Sequence, residues 1–207
     1  YYVHAGSSPK LMEIGTAFQA FVTTLEKNQV EYDLGSENII KDQGKVENGR
    51  FIVGKASYST LVLPPMMETV NKPTFDLLSR FVEQGGKIVA FSSPTRIDGA
   101  VDNGLSELLS KAAVTTLPGL SRDVIGKYFS SDKFRISFNG GNLYHQRRLF
   151  ADGELLFLVN SSMDEAVNGM LSIPGKAVLE MDALSGEIYT YPSSKEGDKQ
   201  NVSFTIE

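Results

Sequence analysis

Three short stretches hold most of this chain's usable chemistry: two serine-bearing loops and one run of basic and aromatic residues. The first loop is His4-Ala5-Gly6-Ser7-Ser8, placed where a first strand would feed a helix. Small residues there expose backbone N–H groups, and a helix N-terminus favours anions, so Ser7 and Ser8 are candidates for a phosphate or carboxylate site. The plainer reading is a turn in which Ser7 or Ser8 caps the helix. The second loop, Ser92-Ser93-Pro94, follows an apolar run, at the edge where parallel sheets bind ligands. A serine nucleophile needs a base and an oxyanion hole. No G-x-S-x-G elbow is present, and the only histidines are His4 and His145, so no triad assembles from the sequence. The third stretch is Tyr144-His145-Gln146-Arg147-Arg148. In a strand, His145 and Arg147 face one way and Arg148 the other. An arginine fork held on a carboxylate could contribute to a sugar or partner site. A structural salt bridge or an exposed strand face accounts for the same residues.

Other chemistries find no foothold. Asp33, Glu37, Asp42 and Glu47 lie on a turn and a hairpin, with no spacing that enforces the separation glycoside hydrolysis needs. Asp98 to Gly104 is acidic but lacks a calcium loop's closing glutamate, and it reads as a loop. There is no cysteine, which rules out thiol nucleophiles, disulfides and cysteine-ligated zinc. No metal and no cofactor is expected. Net charge is −5 with scattered basic residues, which argues against a nucleic-acid surface. No apolar run approaches the roughly 20 residues of a membrane-spanning helix. The chain starts at Tyr1, without an initiator Met, and is expected to begin inside a longer gene product.

The elements that must position these residues follow from periodicity. Tyr1 to Ala5 reads as a first strand, and Leu11, Ile14, Phe18, Phe21, Val22 and Leu25 form one helical stripe. Gln29 to Leu34 reads as the second strand, and Ser36 as the cap of a helical turn through Ile40. Asn48-Gly49 between Lys45–Glu47 and Arg50–Val53 is a strong hairpin signal. Leu61–Leu63, a helix entered through Pro73 and closed by Gly85-Gly86, and Ile88–Phe91 form a βαβ unit. Leu105–Ala113 and Val114–Leu117 add a helix and a strand, completing a doubly wound, mostly parallel sheet over residues 1–133. This layout is shared by amidotransferase-type domains, whose nucleophilic cysteine has no counterpart near Pro64-Pro65-Met66 or after Phe91. From residue 134 onward short strands alternate with turns, as in a small all-β sandwich domain, 134–207. A unit of roughly 70 residues has a marginal core and is expected to pack on a neighbour.

Val46 to Val53, Tyr58 to Leu63 and the glycine-stopped helix together resemble a segment of large bacterial glycoside hydrolases, the α-L-rhamnosidases of glycoside hydrolase family 106. Tyr32-Asp33, Glu37 to Ile40, His145 to Arg148, Asp152-Gly153-Glu154, Phe157 to Ser162, Asp182 and Ser185-Gly186-Glu187 extend the resemblance over most of the chain. The first domain also resembles the doubly wound trimerisation domain of some β-galactosidases. The resemblance implies a flavodoxin-like domain and a β-domain that buttress a sugar-cleaving site on a preceding barrel. It carries no catalytic residue to this sequence. It implies an upstream catalytic domain as partner, carbohydrate nearby, and a periplasmic or cell-surface location. Two alternatives remain: a small-molecule or sugar-binding module using the strand ends, and an oligomerisation module.

Overall fold

The computed structural model describes residues 8–129 and 134–207. The chain divides into two compact units, one holding the described residues through Leu25 and Glu31–Tyr128, the other Glu26–Val30 and Phe129–Glu207. The architecture is mixed α/β, with several small sheets, one of them parallel and others antiparallel.

The first unit runs α1 (Pro9–Lys27), α2 (Glu37–Gln43), β1 (Gly44–Glu47), β2 (Arg50–Val53), β3 (Ala56–Tyr58), β4 (Thr60–Leu63), β5 (Thr69–Val70), α3 (Lys72–Glu83), β6 (Lys87–Ala90), β7 (Arg96–Ile97), β8 (Ala100–Val101), α4 (Asn103–Leu109), β9 (Val114–Thr116) and α5 (Arg122–Tyr128). Strands β4, β6 and β9 form a parallel sheet in that order, with Leu61 opposite Ile88 and Leu63 opposite Ala90. The expected βαβ unit is therefore present. Its helix α3 has proline in its first turn and ends in a full Schellman motif. Gly86 N–H bonds Phe81 O at 2.8 Å, Gly85 N–H bonds Val82 O at 3.0 Å, and Gly85 takes φ +86°. A side chain on Gly86 would meet the Phe81 ring at 2.4 Å, so only glycine fits that turn. The apolar face of α3, with Phe51 of β2 and Ile88 of β6, builds the main core.

Asn48 and Gly49 both take positive φ, +52° and +70°, and close β1 onto β2 with Glu47 opposite Arg50. The segment expected as the second strand departs from its reading. Residues 30–36 form no ladder. Gln29 takes φ +57° at the end of α1 and turns the chain. Asp33 is then held by the Tyr58 hydroxyl at 2.7 Å, a side-chain tether rather than a strand pairing. The apolar alternation of Val30, Tyr32 and Leu34 does not build a strand without a ladder partner, and Leu34 stays exposed. The first expected strand, with His4 and Ser7, lies outside the described residues.

The second unit holds β10 (Arg135–Asn139), β11 (Leu143–Leu149), β12 (Glu154–Asn160), β13 (Val167–Pro174), β14 (Leu179–Met181), β15 (Ile188–Thr190), β16 (Ser194–Glu196) and β17 (Lys199–Ile206). All its pairings are antiparallel: a four-stranded sheet in the order β10-β13-β17-β16 and two ribbons, β11–β12 and β14–β15. Leu143 of β11, Val167 and Leu171 of β13, and Val202 and Phe204 of β17 share one buried cluster. Gly169 lies under the Phe204 ring, where a Cβ would meet it at 2.3 Å, which accounts for a glycine in mid-strand.

Candidate functional site

The carboxyl ends of β4 and β6 meet as a parallel sheet requires, with Phe91 N–H on Leu63 O at 2.9 Å. The Ser92 hydroxyl donates to Pro64 O at 2.7 Å and ties the two strand ends together. That bond satisfies a loop carbonyl, and no histidine contacts Ser92 among the described hydrogen bonds, so the hydroxyl serves as a latch and not as an activated nucleophile. Ser93 is exposed beside it. Pro65 and Met66 form a turn in which Met66 takes φ +60°. Proline followed by a left-handed residue is the type II pattern, where glycine is normally preferred. Among the described residues, this rim carries prolines, methionines and serines, and no histidine. Ser8 follows its plainer reading: its carbonyl accepts Met12 N–H at 3.1 Å and its hydroxyl accepts Leu11 N–H at 3.5 Å, capping α1.

The basic stretch is the denser site. Along β11, His145 and Arg147 are half-buried on one face while Gln146 and Arg148 are exposed on the other, as strand alternation requires. Gln29 reaches His145 from the end of α1. Its Nε2 donates to the carbonyls of Glu26 and Leu143, each at 3.0 Å. The amide oxygen must then face the ring, 2.6 Å from Nδ1. An amide oxygen only accepts, so Nδ1 carries the proton of this bond. The His145 ring lies 5.3 Å from the Phe134 ring, and the Arg147 guanidinium sits 4.7 Å over the same Phe134. Arg147 Nη1 donates to Glu154 Oε2 at 2.8 Å, with both side chains 14% exposed. Glu154 is diagonal to Arg147, because Leu149 opposes Glu154 and Arg147 opposes Leu156.

Sequence reasoning placed His145 and Arg147 on one face and left their partners unnamed. Glu154 was within reach of it: opposite charges seven residues apart across a four-residue turn fall on one face of a hairpin. Phe134 and Gln29 carried no such signal, because neither lies on the β11–β12 hairpin. The assembled group is a polar knot built on an aromatic ring. The carboxylate of Glu154 is engaged by Arg147. Among the described residues no group of three or more His, Cys, Asp or Glu converges to hold a metal, and no helix is long and apolar enough to cross a membrane.

Three of the four acidic residues around the hairpin, Asp33, Glu37 and Glu47, are each engaged by a partner of their own. Glu37 Oε1 accepts Asn71 N–H at 2.8 Å at the start of α3, and Glu47 pairs with Lys45 at 2.9 Å. Burial, then the hydrogen bond and charge of Asp33, push the Tyr58 phenol up to about 12. Asp182, in the turn after β14, accepts the N–H groups of Ser185 and Leu184, which hold its carboxyl below the ordinary value.

No family model and no curated protein matches this sequence. A solved structure is similar: a rhamnosidase from Novosphingobium sp. PP1Y, with TM-score 0.66 and 14% sequence identity. The match covers 85% of this chain but 19% of the rhamnosidase chain. This protein shares its fold with a minor part of a glycoside hydrolase.

Proposed function

We propose that this chain is a non-catalytic accessory region of a rhamnosidase-like glycoside hydrolase whose sugar-cleaving barrel lies elsewhere on the polypeptide. The observation that carries this reading is the fold likeness, in which 85% of the chain corresponds to 19% of a rhamnosidase. The side chains support it. Ser92 is spent on a loop carbonyl, His145 on an amide oxygen, and Glu154 on an arginine. In this reading the parallel β4–β6–β9 sheet belongs to a flavodoxin-like domain and the β-rich unit is a sandwich, supported by the single cluster shared between β11 and the β13–β17 pair. Its role is mechanical: it borders or braces a sugar site. A periplasmic or cell-surface location belongs to the same proposal.

The test is turnover. The purified chain should release no product from an aryl α-L-rhamnoside at any enzyme concentration. Saturable hydrolysis, abolished by replacing one carboxylate, would refute the proposal. The neighbouring coding sequence supplies a second check: a barrel should share the reading frame.

A further inference from the structure

An open cleft lies at the outer edge of β17 in the β-rich unit, and its origin is local. Strand β16 pairs with β17 only as far as Ser194, opposite Asn201. Continued pairing would set Pro192 opposite Ser203, and proline has no N–H to give that strand. The Tyr191 hydroxyl takes the place of the missing donor, reaching Ser203 O at 3.1 Å while its ring packs against the buried cluster. Gln200, 4% exposed, accepts the Ser193 hydroxyl at 3.0 Å and donates to Lys176 O at 3.2 Å, which fixes the turn before β16. The cleft left between Tyr191, Pro192, Ser193, Ser194, Asn201 and Ser203 measures about 550 Å³. Small-ligand sites span roughly 300–1,000 Å³.

The lining is polar without being charged. Asn201 Nδ2 donates to Glu196 Oε2 at 2.8 Å, so its amide oxygen is the atom left to accept from a ligand. The Ser194 and Ser203 hydroxyls and that oxygen have no protein partner among the described hydrogen bonds. The same chemistry continues across the sheet. Val202 and Phe204 of β17 are buried, and the alternate positions Asn201, Ser203 and Thr205 face outward beside Asn168, Met170 and Ser172 of β13. Charge on this face of the β16–β17 hairpin is confined to its end, where Glu196 and Lys199 stand opposite each other.

We infer that this cleft seats one unit of an uncharged glycan, an inference that rests on the proposed function. A sugar ring presents hydroxyls on its rim and C–H groups on its faces. Tyr191 and Pro192 supply an apolar wall for the C–H groups. Asn201 Oδ1 accepts from one hydroxyl, and the two serines can each donate or accept. An anionic ligand finds no Lys or Arg in this lining to pair with. A protein partner would need buried apolar anchors, which the outward face of β13 and β17 offers only at Met170.

The test is a titration of the whole 15N-labelled chain, followed by NMR, with L-rhamnose, D-galactose and D-glucose. At least one is expected to give saturating shifts at the Ser194 and Ser203 amides and the Asn201 side-chain amide, with Kd on the order of millimolar. D-Glucuronate and D-galacturonate should shift these signals less than their neutral counterparts. Asn201→Ala should weaken binding about five- to tenfold at an unchanged urea midpoint. Ser203→Ala keeps the backbone carbonyl that Tyr191 holds and is a second variant with the same expected direction. Ser93→Ala, in the other unit, should leave Kd unchanged. Absence of saturating shifts with all three sugars overturns the site, as do shifts centred on Ser92 and Ser93 or full affinity in both cleft variants. Equal shifts with the uronates, or with a neutral Gly-Ser peptide, overturn the assignment to an uncharged sugar. Aryl rhamnoside turnover on the same sample separates the two claims: turnover by this chain defeats the proposed function whatever the shifts show, whereas no turnover and no shifts defeat the cleft alone.

Discussion

Asn48-Gly49 and Asp182–Glu187 close two hairpins that fare differently. Both turns are chemically well specified: the first by two positive-φ residues, the second by an aspartate that gathers two N–H groups. The β1–β2 hairpin lies against α3, where Phe51 is 1% exposed and meets the Phe81 ring edge-on at 5.8 Å. The β14–β15 hairpin carries Leu179, Met181, Leu184 and Ile188 and buries none of them. Turn chemistry is local and closes a hairpin in either setting. Burial depends on whether a second layer arrives. Nearby, β12 shows the same difference between its two faces: Leu156 and Leu158 pack on the core, while Leu155, Phe157 and Val159 remain exposed.

The sharpest test of that contrast is a pair of truncations. Phe51→Ala should cost about 3–5 kcal/mol, the range for emptying a packed aromatic site. Leu184→Ala should change stability by less than about 0.5 kcal/mol in the chain alone. Urea unfolding reads both, and similar costs would erase the distinction between the two hairpins.

The Arg147–Glu154 pair on the β11–β12 hairpin lies between these extremes, half-buried and hydrogen-bonded. Arg147→Met keeps an apolar stem over Phe134 and removes the charged contact, at an expected cost of about 1.5–3 kcal/mol. A cost near that of Leu184→Ala would show that the pair is effectively solvated.

In the α/β unit, Met66 holds a left-handed conformation that glycine adopts without strain. Met66→Gly should raise the urea midpoint, by up to about 1 kcal/mol of stability. A fall would show that the half-buried methionine side chain contributes more than the backbone strain costs.

The smallest effect concerns Tyr58, which ties Asp33 to the end of β3. Its phenol rises from 10.0 to about 12 on folding. The folded chain thus keeps the proton that the unfolded chain loses first. The contribution is complete below pH 10 and is lost as pH climbs towards about 12. Tyr58→Phe should flatten that decline, seen as a smaller drop in unfolding midpoint between pH 9.5 and 11.5 (on the order of the unfolded and folded titrations).

Much of the fold was legible because its signals sit within a few residues of one another. Pro73 and Gly85-Gly86 bracket α3 because φ restriction and left-handed freedom act at single positions. The short alternating runs after residue 134 fall on observed strands for the same kind of reason: strand alternation repeats every two residues. The runs that form β14 and β15 were readable as short strands, but not as a ribbon left exposed. Gln29–Leu34 was misread because its alternation suits a strand, and a strand needs a partner that no local pattern supplies. The candidate site divides the same way. The shared face of His145 and Arg147 follows from alternation, whereas the approach of Gln29 and Phe134 to that face does not.

By itself, then, the amino-acid order determined where helices and hairpins start and stop, which side of β11 holds His145 and Arg147, and the absence of thiol chemistry. Tertiary structure decided the rest: Ser92 bonded to a carbonyl of another strand's end, Gln29 orienting an imidazole more than a hundred positions away (|i−j| = 116), and one apolar ribbon left open to solvent. The division is physical. Backbone dihedral preferences are settled among neighbours in sequence, while hydrogen-bond partners and burial are settled among neighbours in space.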